Sequence, residues 1–106
     1  MFCLLLRLYR ERAYIFNQDI GDWDVSSVTD MSLMFLHARS FNQDIKGWDV
    51  SKVKSMEAMF RGAEDFDMDL SGWPVSEGTD TTRMFKGTKL AREDVDGWEW
   101  TVGVEN

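Results

Sequence analysis

Aspartate recurs at Asp19, Asp44, Asp69 and Asp94, one every 25 residues, and Asn17, Asn42 and Asp67 stand two positions earlier. Side chains repeating at such an interval stand one above another when a chain winds in regular coils, so the column reads as a ladder of oxygen ligands. Two chemistries fit it. Ca²⁺ could sit between coils, because hard cations take oxygen ligands. Alternatively, each Asp or Asn takes up backbone N–H groups within its own turn. The second reading is preferred, since calcium-binding coils use a Gly-rich nonapeptide that is absent here. Asp19, Asp44, Asp69 and Asp94 remain a weak metal alternative, and neither a metal nor another cofactor is expected.

His37 is the only histidine, and Gly62 and Gly87 replace it in the next two repeats. Such a position suits a helix C-cap in left-handed backbone, where His is tolerated and a cation favours the helix end. No serine, cysteine or carboxylate accompanies His37 in the repeat to make a nucleophile–base pair. With no metal cluster or phosphate loop either, the chain is not expected to be an enzyme. Trp23, Trp48, Trp73 and Trp98 also repeat every 25 residues. They could stack sugars or bases, but they share a face with Val25 and its equivalents, so they read as core.

These groups must be positioned by a tandem repeat. Ile20, Ile45, Leu70 and Val95 form one column, and Val25, Val50, Val75 and Trp100 another. Phe41 and Phe66, Met34, Met59 and Met84, and Phe35, Phe60 and Phe85 add three more. Alternation around Trp and Val predicts a short strand near residues 22–25 and its equivalents. Ser26, Ser51, Ser76 and Thr101 follow as turn or N-cap residues. Met31, Met34, Phe35 and Ala38 recur at helical spacing, which predicts a short helix over 30–37. Pro74 stands where the other units have Asp24 and Asp49, and should weaken a ladder at the third strand.

The whole chain reads as one repeat domain, 1–106. Residues 1–15 form a degenerate half-repeat cap, 16–40, 41–65 and 66–90 are full units, and 91–106 is a partial unit. The fold class expected is α/β: a short right-handed leucine-rich-repeat-like solenoid, each unit a short strand plus a short helix.

Charge narrows the partners. The net charge is −7, and Arg7, Arg10, Arg12 and Glu11 give residues 1–15 a charge of +2, leaving −9 on the rest. Such a body repels phosphate backbones, so nucleic acid is not expected. The single Cys3 excludes an intramolecular disulfide. The apolar stretch from Phe2 to Leu6 is too short to span a bilayer, and no cleavable signal is expected.

Two surfaces remain as candidates. The outward strand positions Asp22, Asp24, Asp49, Ser51 and Glu99 make an acidic, hydroxyl-bearing face, while Lys52, Lys54, Arg61, Arg83 and Lys86 fall in or near the helices. At the ends, Phe2, Leu4, Leu5 and Leu8 surround the half-repeat, and Trp100 belongs to a final strand lacking charged gatekeepers.

The words themselves are distinctive. Phe41-Asn42-Gln43-Asp44-Ile45-Lys46-Gly47-Trp48-Asp49-Val50-Ser51, followed by Met56, Met59, Phe60 and Ala63, resembles the BspA-like leucine-rich-repeat surface proteins. Mycoplasma-type lipoproteins carrying this repeat of unknown function, and microalgal relatives, belong with them. The resemblance spans about residues 16–100 and implies an adhesion or protein-interaction role at a cell surface, without known catalysis. The expectation is a non-enzymatic protein-interaction or adhesion-type module, with a protein partner or self-association. The alternative is a structural subunit or spacer docked by its apolar ends in a larger assembly.

Overall fold

The computed structural model describes residues 17–90, 92–95, 98 and 100. Its backbone is a succession of tight turns. In each coil the tryptophan N–H closes a turn on the carbonyl three residues back, from Trp23 to Ile20, Trp48 to Ile45, Trp73 to Leu70 and Trp98 to Val95, at 2.9–3.1 Å. Phe41 and Phe66 close equivalent turns on Ala38 and Ala63 at 3.0 Å.

The segment read as a helix behaves differently from a helix. Between residues 31 and 38 alternate N–H groups take two destinations. Those of Met34, Leu36 and Ala38 stay in the coil and bond the carbonyls of Met31, Leu33 and Phe35. Those of Met31, Leu33, Phe35 and His37 leave it and bond the carbonyls of Ser55, Glu57, Met59 and Arg61 at 2.8–3.0 Å. The next coil repeats this, with Met56, Ala58, Phe60 and Gly62 donating to Asp80, Thr82, Met84 and Lys86 at 2.7–3.0 Å. Such alternation needs left-handed residues, and the chain supplies them at Leu33 (φ 62°), Ala58 (φ 52°) and Arg83 (φ 56°), then at His37 (φ 60°), Gly62 (φ 77°) and Gly87 (φ 83°).

The expected leucine-rich-repeat-like α/β solenoid of strand-plus-helix units is therefore not formed. Among the described residues the only helix is Arg92–Val95. The only β pairing among these residues is two isolated parallel bridges, Asp30 with Ser55 and Ser55 with Asp80. The reason is hydrogen-bond accounting. A helix over 30–37 would run its backbone bonds along the coil and leave its first four N–H and last four C=O groups unpaired, whereas the turn ladder keeps some bonds in the coil and sends the alternate N–H groups to the next one. Apolar spacing of three and four residues turns a side chain inward in either conformation, so that pattern alone cannot separate them. The strand expected near residues 22–25 is missing too. There the coils are joined by indoles, with Trp48 Nε1–H donating to the Ile20 carbonyl at 3.1 Å and Trp73 Nε1–H to that of Ile45 at 3.0 Å.

The interior is filled by side-chain columns. Phe35, Phe60 and Phe85 stack at 5.5 and 5.8 Å with planes within 8°. Phe41 and Phe66 stack at 6.0 Å, and Trp48 and Trp73 at 6.5 Å. Phe35 also lies on Phe41 at 4.0 Å and Phe60 on Phe66 at 4.1 Å, so neighbouring columns interlock. Ile20, Ile45, Leu70 and Val95 are all buried. The result is a dense body with a radius of gyration of 12.4 Å.

Two departures from strict repetition shape the third coil. Pro74 has no N–H, and the local turns shift by one residue: Thr79 bonds Ser76, where Val28 bonds Val25 and Val53 bonds Val50. Lys54 N–H reaches the Thr29 carbonyl, but it is Asp80 N–H that reaches the Lys54 carbonyl. Val75 is only half-buried in consequence, while Val25 and Val50 are buried. The second departure is at the last tryptophan. Trp100, not Trp98, stacks on Trp73 (6.3 Å, 20°) and donates its indole N–H to the Leu70 carbonyl at 2.9 Å. Trp98 turns edge-on to Phe85 at 5.7 Å and closes the phenylalanine column instead.

Candidate interaction face and the ends of the stack

Asp24 and Asp49 occupy equivalent places in successive coils, and both side chains are exposed. Each is held by its own turn: Asp24 Oδ1 accepts from the Ser26 hydroxyl at 2.6 Å and the Ser26 N–H at 3.0 Å. Asp49 does the same with Ser51 at the same distances. The Ser26 hydroxyl and then its N–H lower the pKa of Asp24. Ser51 acts likewise on Asp49, helped by Lys52 and opposed by the Asp24 charge, which marks the two carboxylates as neighbours. The ridge is two carboxylates high, because Pro74 follows them and Ser76 sends its hydroxyl to the Ser51 carbonyl at 3.1 Å. Asp22 and Ser51 are exposed on the same turns. Glu99 lies outside the described residues, as do Phe2, Leu4, Leu5 and Leu8. Trp100 is half-buried against Trp73 and is an interior cap more than an outward contact.

Acidic and basic groups are not sorted onto opposite faces. Lys52 lies close enough to Asp49 to favour its ionisation, and with Lys54, Ser51, Thr29, Ser76 and Thr79 it lines an open groove beside the ridge. Arg39 pairs with Glu64 at 3.1 Å between adjacent coils, and both are largely exposed. Such a pair contributes little to stability.

Three of the four aspartates in the 25-residue column serve turns. Asp19, Asp44 and Asp69 accept the N–H groups of Gly21, Lys46 and Ser71 at 2.9–3.3 Å. Asp94 is exposed in the short helix. Among the described residues no three His, Cys, Asp or Glu side chains converge where they could hold a metal ion. Thermal stability is accordingly expected to be the same with excess Ca²⁺ and with chelator; a steep rise in melting temperature on adding Ca²⁺ would return the Asp column to metal chemistry.

Acid should act through the same turns. The N–H and hydroxyl of Ser71 lower the pKa of Asp69, and those of Thr82 lower that of Asp80, as Ser26 and Ser51 do for their partners. A carboxylate with a depressed folded-state pKa stabilises the fold above its unfolded value, and that stability is lost as pH falls through the folded value. Stability is therefore expected to be flat at neutral pH and to fall below about pH 4. Unfolding midpoints in urea from pH 7 to pH 2 check this, and a midpoint that rises on acidification contradicts it.

The asparagine column joins coils in a way that the repeat pattern did not reveal. Asn17 Oδ1 accepts from Asn42 N–H at 2.9 Å, and Asn42 Oδ1 from Asp67 N–H at 3.2 Å. Two-residue displacement between Asn and Asp in each unit was the available signal, since one side chain reaches forward and the other closes its own turn. His37 sits in left-handed backbone and its N–H joins the ladder to Arg61. A Cβ at Gly62 would come within 2.6 Å of His37 Nδ1, so the imidazole packs over a position that only glycine fills without displacement.

The chain belongs to the family described as Mycoplasma protein of unknown function, DUF285, which matches over residues 6–101. It is thus a member of a mycoplasma-type repeat family. No curated protein and no solved structure matches it. Among the described residues no helix is long and apolar enough to cross a membrane.

Proposed function

We propose that this chain is a non-enzymatic protein-interaction module of the adhesion type found in BspA-like leucine-rich-repeat surface proteins. The observation that carries the reading is the Asp24–Asp49 ridge: two exposed neighbouring carboxylates, each fixed by a double hydrogen bond within its own turn. Charges held in place present a defined pattern to a partner at little ordering cost, and a basic surface is the complement. The protein partner expected is therefore basic where it meets the ridge. Recovering bound proteins on immobilised wild-type chain and on an Asp24→Lys/Asp49→Lys double variant tests this. A partner retained by the first and lost by the second supports the reading, and identical recovery on both overturns it.

The alternative, a structural subunit or spacer docked by its ends, draws on the aromatic closure at Trp98 and Trp100. Light scattering of the eluting protein during size-exclusion chromatography separates the two, because a concentration-independent monomer does not behave as an end-docked subunit.

A further inference from the structure

The acidic ridge and the groove beside it share a residue. Ser51 holds Asp49 through its N–H and hydroxyl, and it also lines the groove with Lys52, Lys54, Ser76 and Thr79. The third unit opens this groove. Gly78 stands one repeat after Val53, but the turns shifted behind Pro74 leave it exposed, and a Cβ there would meet nothing within 4 Å.

The groove meets a ligand mainly with positive charge. The hydroxyls of Ser51, Ser76 and Thr79 donate to Asp49 Oδ1 and to the carbonyls of Ser51 and Val53 at 2.6–3.1 Å, so their protons are already used within the chain. The ammonium groups of Lys52 and Lys54 are not. Both lysines are exposed, and among the described residues neither makes an ion pair, although exposed Glu77 stands one repeat after Lys52.

Opposite charges therefore lie side by side, with Lys52 near enough to Asp49 to favour its ionisation. A uniformly basic partner seated on Asp24 and Asp49 would bring its next cation against Lys52 and Lys54, and like charges brought together are penalised. A polyanion in the groove would meet the carboxylates of the ridge in the same way. A partner that carries both charges, in the matching order, escapes both penalties.

We propose that ridge and groove form one bipartite site for a mixed-charge segment of a partner protein, which sets basic side chains on Asp24 and Asp49 and an acidic side chain in the groove against Lys52 and Lys54, beside Gly78. The inference rests on the interaction-module reading and narrows it from a basic partner surface to adjoining basic and acidic blocks.

Titration of the full chain with synthetic peptides, followed through backbone amide shifts, tests it. Each peptide carries lysines and glutamates in equal number. In one set they form two blocks parted by glycine spacers of increasing length; in the other, of equal composition, they alternate. At the best spacing the blocked peptide should bind at least about tenfold more tightly than the alternating one. Lys52→Glu/Lys54→Glu should weaken that binding by about tenfold or more, and so should Asp24→Lys/Asp49→Lys. Gly78→Leu, which puts a side chain into the open space beside the lysines without altering charge, should weaken it too. Equal affinity for blocked and alternating peptides, or binding indifferent to the lysine variant, would overturn the bipartite site; loss on Asp24→Lys/Asp49→Lys alone would then leave the ridge reading standing. Binding indifferent to the ridge variant would overturn both, and no binding of either peptide at millimolar concentration would overturn the bipartite site.

Discussion

Trp48→Ala is expected to destabilise the chain by about 3–5 kcal/mol, the range for a large buried aromatic. Trp48 is 2% exposed, stacks on Trp73 and lies 6.3 Å from Phe35, so truncation opens a cavity between coils that the interlocked rings cannot close. It also removes the indole bond to Ile20, the link that replaces a strand ladder in this part of the coil. Trp48→Phe separates the two contributions. It keeps a ring in the stack and loses one hydrogen bond, a net effect of about 1 kcal/mol. The Ile20 carbonyl keeps its turn bond from Trp23, so it is not left unpaired. Trp100→Ala should cost less than Trp48→Ala, since Trp100 covers the last coil and is half-buried. Urea melts on the three variants decide the matter, and equal destabilisation by Trp48→Ala and Trp100→Ala would refute the central-coil argument.

Proline at Ala58 should be as damaging, and glycine at Arg83 should act in the opposite sense. Ala58 has φ 52° and its N–H donates to the Thr82 carbonyl at 2.8 Å. Proline is locked near φ −65° and has no N–H, so Ala58→Pro breaks the ladder between the second and third coils, at a cost of about 3 kcal/mol or more. That loss alone would not distinguish a ladder from a helix, since proline disrupts both. Arg83 makes the distinction. It is exposed with φ 56°, and left-handed backbone costs a non-glycine residue about 1 kcal/mol. Arg83→Gly relieves that strain without uncovering a core side chain, so stability should rise or hold, by up to about 1 kcal/mol. In a helix the same substitution would cost about 1 kcal/mol. Destabilisation of that size by Arg83→Gly would contradict the turn ladder and favour the helix that the apolar spacing predicted.

Much of the candidate site was legible in residue types. Asp24 and Asp49 precede Ser26 and Ser51 by two positions, the spacing at which an aspartate accepts from the following turn, and both lie on outward positions of the repeat. Their neighbourhood was less legible. Lys52 was placed with the helices, away from the acidic face, yet without a helix it lies beside Asp49. Pro74 showed that the third unit departs from the others, but not that its turns shift by one residue, with Thr79 N–H bonding Ser76 and Asp80 N–H bonding Lys54.

The sequence by itself determined the 25-residue interval and the side chains that line the interior. Those columns follow from burial: Ile20, Ile45, Leu70 and Val95, Met34, Met59 and Met84, and Phe35, Phe60 and Phe85 are buried in each of these units. Membership of the mycoplasma-type family rests on the same repeated words. Tertiary structure decided the backbone. Helix and turn ladder turn the same apolar residues inward, and local propensity favours the helix by roughly 1 kcal/mol per left-handed residue. The ladder prevails because it sends alternate N–H groups to the neighbouring coil, a partner no single unit contains. Tertiary contacts also chose between Trp98 and Trp100. Their spacing assigned Trp98 to the stack on Trp73, but closing the end of the body takes one ring over the indoles and another against Phe85.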